Sequence, residues 1–94
     1  MTLARAALTA LSDPTRRQLL ECLRQGPKTV GEIAAVLPVS RPAVSQHLKL
    51  MKSARLVIER RQGRRHYFAI DPMAITELRF YCEAILADLG RPAG

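Results

Sequence analysis

The fold of this chain is constrained most strongly by residues 40–52, whose sequence is Ser-Arg-Pro-Ala-Val-Ser-Gln-His-Leu-Lys-Leu-Met-Lys. Val44, Leu48 and Met51 recur at helical spacing, which predicts a helix with one face in a core. Ser40 is a suitable N-cap, because its hydroxyl can accept a hydrogen bond from a free amide of the first turn. The other face carries amides, hydroxyls and positive charge. Taken alone, the segment is equally compatible with an ordinary amphipathic surface helix.

A short helix is predicted just before this segment. Thr29 and Glu32 form a capping box, in which each side chain satisfies a backbone amide of the other residue. Ile33, Ala34 and Leu37 supply an apolar face, and a proline then breaks the helix. Two short helices joined by a turn of three or four residues form a helix-turn-helix.

A β-hairpin is predicted directly after this motif. Residues 56–61 have strand composition, Gln62 and Gly63 signal a turn, and residues 64–70 return with alternating side chains. The arginines near its tip are Arg60, Arg61, Arg64 and Arg65. A lone hairpin of this kind could be a solvated surface. Beside a helix-turn-helix it is typical of a wing that contacts the DNA backbone or the minor groove.

The net charge of +7 lies entirely in residues 40–66, which contain eight basic side chains and one acidic one, Glu59. The rest of the chain contains seven of each sign. Such concentration indicates a polyanionic partner, and double-stranded DNA is expected. Gln46 and Arg41 are candidates for base readout, because their planar ends can bond a base edge in two places. The full set of predicted DNA contacts is Ser40, Arg41, Ser45, Gln46, His47, Lys49, Arg60, Arg61, Arg64 and Arg65.

Helices are also predicted at the two ends, over residues 2–11 and 72–89. The last helix carries apolar residues at spacings of three, four, three and four, as in a coiled-coil seam. We expect it to pair with its copy and with the first helix in a symmetric homodimer. The alternative is packing on the helix-turn-helix core. The predicted interface residues are Leu3, Ala7, Ile75, Leu78, Cys82, Ile85 and Leu89. Residues 91–94 are expected to fray.

A further helix is predicted to begin at Asp13 and Pro14, with the aspartate as cap and the proline in the first turn. It is expected to run to about Gln25. Arg16 and Arg17 lie near its start, against the favourable end of the helix dipole. We interpret them as solvated charges, with contact to a DNA phosphate or a neighbouring subunit as the alternative.

The length of 94 residues predicts one domain, residues 1–94. A long apolar run, a signal peptide and a lipidation motif are all lacking, so no membrane partner is expected. Two cysteines do not suggest a secreted disulfide framework. A cytoplasmic protein is therefore expected.

Three motifs resemble the ArsR family of winged-helix bacterial repressors. They are Asp-Pro-Thr-Arg at residues 13–16, Val-Ser-Arg-Pro-Ala-Val-Ser-Gln-His-Leu-Lys at residues 39–49 and Gly-Arg-Arg-His-Tyr-Phe at residues 63–68. The resemblance covers roughly residues 3–90. It implies about five helices and a two-stranded wing, a homodimer, and a repressor that occupies an operator until a signal releases it. The identity of any inducer stays open.

Many members of that family sense metals, but the residues for this are lacking. The chain has no Cys-x-Cys motif, and residues 71–94 contain no histidine. His47 and His66 lie in the predicted DNA surface, and we interpret each as a structural or DNA-contacting residue. Zinc and soft metals require three or four nitrogen or sulfur ligands. We therefore expect no metal site and no cofactor, as in the non-metal-sensing branch of the family.

Cys22 and Cys82 lie in the helices through which some members of the family sense oxidants. Both occupy apolar positions, where a cysteine is usually an unreactive small hydrophobe. A thiol-responsive repressor is therefore kept only as an alternative.

Arg55 lies where the family usually has a glycine that ends the helix. If its backbone is left-handed, the side chain costs about 1 kcal/mol relative to glycine.

Three other function classes fit less well. A non-specific or architectural nucleic-acid binder would use the same charge, but aromatic residues, at 4%, are few for stacking on single strands. A protein-interaction domain would not need such concentrated charge. An enzyme is least expected, because both histidines lie in the predicted DNA surface. The sequence therefore favours a sequence-specific DNA-binding repressor with an inverted-repeat operator.

Overall fold

The structure, a computed structural model, describes residues 3–91. Within this range the chain forms the predicted helices and hairpin, and the winged helix-turn-helix fold is confirmed. The elements are α1 (Leu3–Ala10), α2 (Pro14–Leu23), α3 (Val30–Val36), α4 (Arg41–Ser53), β1 (Val57–Gln62), β2 (Arg65–Ile70) and α5 (Pro72–Leu89). Thr2 of the predicted first helix and residues 92–94 of the predicted frayed end lie outside the described residues.

The predicted caps are present at the starts of three helices. Asp13 Oδ2 accepts a hydrogen bond from the amide three residues on at 2.9 Å. Thr29 Oγ1 accepts from the Glu32 amide at 3.1 Å, and Glu32 Oε1 accepts from the Thr29 amide at 3.0 Å, which completes the capping box. Ser40 Oγ accepts from the amide three residues on at 3.3 Å. These local bonds fix where α2, α3 and α4 begin.

The apolar face of α4 lies at the centre of one hydrophobic core. Val44, Leu48 and Met51 are fully buried, as the helical spacing predicts. Further large side chains in this core are Leu19, Leu23, Ile33, Leu56, Val57 and Phe68. Because α2, α3 and β1 all pack against α4, its polar face is held in one orientation relative to the rest of the protomer.

The end of α4 is a Schellman motif. The Leu56 amide donates to the Met51 carbonyl at 2.9 Å, and the Arg55 amide donates to the Lys52 carbonyl at 3.0 Å. Arg55 has a φ of 59°, so its backbone is left-handed. Met51 and Leu56 are both fully buried, which supplies the apolar contact that accompanies this motif.

The wing, formed by β1, β2 and their turn, is attached to the helices by its backbone. Gln62 pairs with Arg65, so the turn consists of Gly63 and Arg64 and lies one residue later than predicted. On its other edge β2 pairs with the loop before α3. The Lys28 amide donates to the Phe68 carbonyl at 2.9 Å, and the Phe68 amide donates to the Lys28 carbonyl at 2.8 Å. This bridge, which the sequence did not predict, fixes the distance between the wing and α3.

Arg16 and Arg17 have a different role from the one expected. Arg16 Nε donates to the carbonyl of Ala10, and Arg17 Nη1 donates to the carbonyl of Leu11 at 2.7 Å. Both carbonyls lie at the carboxyl end of α1, where the last carbonyls of a helix lack partners within it. The two arginines thus join α1 to α2 and are not simply solvated charges.

The terminal helices α1 and α5 pack against each other within the protomer. Ala7 is fully buried there. Its inclusion among the residues that meet a second copy is therefore corrected, because a side chain without exposed surface cannot line such an interface. The apolar residues of α5 are much more exposed, with Ile75 at 40%, Ile85 at 44% and Leu89 at 77%.

Candidate nucleic-acid interface

The polar face of α4 is open to solvent. Ser45, Gln46 and Lys49 are all exposed. A helix turns 100° per residue, so these side chains project away from the core face that contains Val44 and Leu48. Serine and glutamine offer both donors and acceptors, and lysine offers a positive charge. This face can therefore bond base edges and phosphates.

Arg41, in the first turn of α4, is also exposed, but its guanidinium lies over α3. A β-carbon at Gly31 would be 3.1 Å from Arg41 Nη2 and 3.4 Å from Cζ. The absence of a side chain at Gly31 therefore allows the guanidinium to approach the first turn of α3.

Ser40 and His47 have contacts within the protein. The Ser40 hydroxyl accepts the capping hydrogen bond described above. The His47 side chain is only 23% exposed, and its Nδ1 lies 4.0 Å from Asp13 Oδ2. Nδ1 is buried without a hydrogen-bond partner among the described residues. A backbone hydrogen bond from Arg16 lowers the pKa of Asp13, and the attraction of Arg16 and His47 adds to this effect. His47 thus lies beside the start of α2 and apart from the exposed face of α4.

The four arginines predicted near the wing tip are all exposed. They are Arg60, Arg61, Arg64 and Arg65. Cross-strand register places Arg61 opposite His66, and Arg61 Nε donates to His66 Nε2 at 3.4 Å. A hydrogen bond with the Tyr67 side chain raises the pKa of Arg65, and the attraction of Glu32 adds to this effect. The wing therefore presents positive charge along its whole outer end.

Glu59 joins the last turn of α4 to the wing. Its Oε1 accepts a hydrogen bond from Lys52 Nζ at 2.8 Å, and its Oε2 lies 2.7 Å from His66 Nδ1. These hydrogen bonds, the one from Lys52 first, lower the pKa of Glu59. The sequence reasoning missed this cluster.

An open cleft of about 640 Å³ lies between α3, α4 and β2. We call it the α3–wing cleft. Its lining residues are Thr29, Val30, Gly31, Glu32, Ala35, Arg41, Arg65 and His66. A backbone hydrogen bond from Thr29 lowers the pKa of Glu32, so this carboxylate is charged at neutral pH.

The cysteines lie elsewhere. Cys22 is half-buried and lines an open groove beside α2 and α3, and Cys82 is exposed on α5.

Among residues 3–91, no group of three or more histidine, cysteine or acidic side chains is arranged to hold a metal ion. None of the helices in the described part of the chain has the length and apolar character needed to cross a membrane.

Comparison with known proteins identifies relatives of this chain. Residues 13–59, which run from the cap of α2 into β1, match the family described as "Bacterial regulatory protein, arsR family". The HTH-type transcriptional regulator Rv2034 of Mycobacterium tuberculosis is 55% identical over 73 residues, which cover 78% of this chain and 68% of that protein. The transcriptional repressor SdpR of Bacillus subtilis is 35% identical over 68 residues, which cover 72% of this chain and 76% of that protein.

A solved structure extends the similarity to nearly the whole chain. It is the homodimeric winged helix-turn-helix DNA-binding domain of Mb0332 from Mycobacterium bovis, described as a possible ArsR-family transcriptional regulator. The two chains superpose with a TM-score of 0.73 at 27% identity, over 96% of this chain and 82% of the other.

Proposed function

This chain belongs to the arsR family of bacterial regulatory proteins and is a transcriptional regulator, and we propose that it represses transcription by binding an inverted-repeat operator as a homodimer. The observation that carries the proposal is the joint exposure of the polar face of α4 and the cationic wing. The polar face of α4 and the arginines of the wing lie in residues 40–66, which contain all of the net charge.

Gln46 is proposed to read a base edge from the major groove. Its amide is exposed on α4 and can form two hydrogen bonds with one base. Ser45 and Lys49, on the same face, are proposed to position the helix through phosphates. The wing arginines are proposed to contact the backbone or the minor groove, where positive side chains meet a concentrated negative potential.

The homodimer is proposed to form through α5, supported by α1. The exposed apolar side chains of α5 would be covered by a second copy, and the similar domain of Mb0332 is described as homodimeric. The proposed contacts are Leu3, Ile75, Leu78, Cys82, Ile85 and Leu89. In this proposal residues 1–94 act as one domain, and two-fold symmetry of the protein requires an inverted repeat in the DNA.

Selection from a random duplex library at near-physiological salt tests this function. We expect an inverted repeat whose half-sites are about 10 bp, or a multiple of that, apart. Recovery of no motif, with affinity that collapses as salt rises, would support an architectural nucleic-acid binder instead.

Gln46→Ala tests base readout on the selected duplex. We expect a loss of about 1–3 kcal/mol and a relaxed preference at one position of each half-site. Lys49→Ala is the matched control on the same face, and it should weaken all duplexes alike. An equal loss on every sequence for Gln46→Ala would contradict its role in readout.

A further inference from the structure

We propose that the α3–wing cleft binds one phosphate of the DNA backbone, that Arg41 is its principal ligand, and that Gly31 is the positioning residue for Arg41. The proposal rests on the proposed DNA-binding function and specifies how part of that surface is used. It assigns Arg41 to the backbone and leaves base readout to Gln46.

The cleft is built from three elements held by short backbone bonds. The bridge between Lys28 and Phe68 ties β2 to the loop that leads into α3. Arg41 enters from the first turn of α4, and Arg65 enters from the first residue of β2. Two guanidinium groups from separate elements therefore line one opening beside the exposed face of α4.

Arg41 is the more available of the two arginines. Among the residues that the structure describes, Arg41 has no hydrogen bond or ion pair, whereas Arg65 interacts with the Tyr67 side chain and is attracted by Glu32. The Glu32 carboxylate is itself held by the Thr29 amide at 3.0 Å. A planar guanidinium can bond a phosphate through two parallel N–H groups. Arg41 thus supplies free donors, and Arg65 adds positive charge that offsets Glu32.

Gly31 has a feature that helix formation does not explain. Glycine has a lower helix propensity than alanine, yet Gly31 lies in the first turn of α3. The space beside it is taken by the Arg41 guanidinium, which would be 3.1 Å from an added β-carbon. A contact of this length is tighter than most, so the guanidinium, at the end of a flexible side chain, would have to shift by a few tenths of an ångström. A methyl group at Gly31 is therefore expected to move Arg41 while favouring the helix.

The test compares the affinities of variants for the selected operator and for an unrelated duplex over a range of salt concentrations. Arg41→Ala should weaken both duplexes by the same factor. It should also reduce the slope of log affinity against log salt by about one for each phosphate that the variant no longer neutralises. Gly31→Ala should melt at the same or a higher temperature than the wild type and still bind both duplexes more weakly.

The double variant Gly31→Ala/Arg41→Ala is the matched control. If Gly31 acts through Arg41, the double variant should bind no more weakly than Arg41→Ala alone. An additive loss, or unchanged affinity in Gly31→Ala, would overturn the positioning role.

The phosphate site itself would be overturned by either of two results. In one, Arg41→Ala changes the preference at one base position without altering the salt slope. In the other, Arg41→Ala leaves the affinity unchanged. These outcomes are separate from failure of the proposed repressor function, in which the library yields no motif. If the library yields no motif, Arg41→Ala should still lower the affinity for unrelated duplexes and the slope of log affinity against log salt.

Discussion

Arg55 is strained by its position in the Schellman motif. A non-glycine residue with a φ of 59° carries a clash between its β-carbon and the backbone that glycine avoids. Arg55→Gly is therefore expected to raise the free energy of unfolding by about 1 kcal/mol, reduced somewhat by the greater freedom of glycine in the unfolded chain. Urea denaturation monitored by circular dichroism would measure this difference.

Arg55→Ala separates the backbone effect from the charge. Alanine keeps the β-carbon and removes the guanidinium, so this variant should stay close to the wild type in stability. A gain in Arg55→Ala equal to that in Arg55→Gly would show that charge repulsion within residues 40–66, rather than backbone strain, is the cause.

Individual side chains were predictable where their partners are close in the sequence. Asp13, Thr29 and Ser40 each cap a helix through an amide three residues away, so composition and order are enough to identify them. The residues that His47 and Arg41 approach, Asp13 at the start of α2 and Gly31 in α3, are more distant in the sequence. Helical spacing predicts which way each Cα–Cβ bond points, but it does not reveal that Gly31 leaves room for a guanidinium from α4.

The connection between α4 and the wing depends on the charge of Glu59. Its folded pKa is lowered by hydrogen bonds from Lys52 and His66. In the unfolded chain the carboxyl takes up a proton at a higher pH than in the folded protein. The bonds therefore stabilise the fold above the ordinary glutamate pKa, and this contribution is lost as the pH falls through the folded pKa.

Glu59→Gln is expected to flatten the acidic part of the stability profile. Urea unfolding at a series of pH values between about 3 and 7 would show a smaller fall in stability than in the wild type. Lys52→Met removes the largest cause of the lowered Glu59 pKa and should also flatten this region. The double variant Glu59→Gln/Lys52→Met should have nearly the same profile as Glu59→Gln alone. A profile as steep as that of the wild type in Glu59→Gln would contradict the assignment of this pH dependence to Glu59.

The bounds of a helix or strand were predicted well where signals within its own segment determine them. The bounds of α5 agree with the prediction, because a capped start and a repeating apolar pattern are both local signals. The hairpin was predicted with its turn one residue too early, since Gln62 and Gly63 form a common turn pair but the register also depends on cross-strand packing. The Lys28–Phe68 bridge joins residues forty positions apart, and periodicity within a segment does not detect such pairing.

The protomer as a whole is elongated, with extents of 59 × 26 × 24 Å. In the second half of α5, every residue from Arg79 to Leu89 is exposed. Its apolar side chains include Phe80, Ile85 and Leu89. Exposed apolar surface of this kind usually marks an interface, which agrees with the proposed homodimer.

Ile85→Glu is expected to convert the proposed dimer into a monomer. A carboxylate in the α5 seam would be buried against the second copy, so charged groups would lose water without a partner. Light scattering coupled to size exclusion should give twice the chain mass of 10.5 kDa for the wild type and the single mass for Ile85→Glu. Helical content should not change, since Ile85 is 44% exposed in the protomer.

Met73→Glu provides the matched control for this variant. Met73 is also on α5 and is 56% exposed, but it lies on the side of the helix opposite Ile75 and Ile85, so its substitution should leave the dimer intact. On the selected operator, Ile85→Glu should bind weakly and without preference for two half-sites, because each monomer then binds as a separate event. A wild-type monomer at micromolar concentration, or a dimeric Ile85→Glu variant, would refute the assembly through α5 while leaving readout by a single protomer in place.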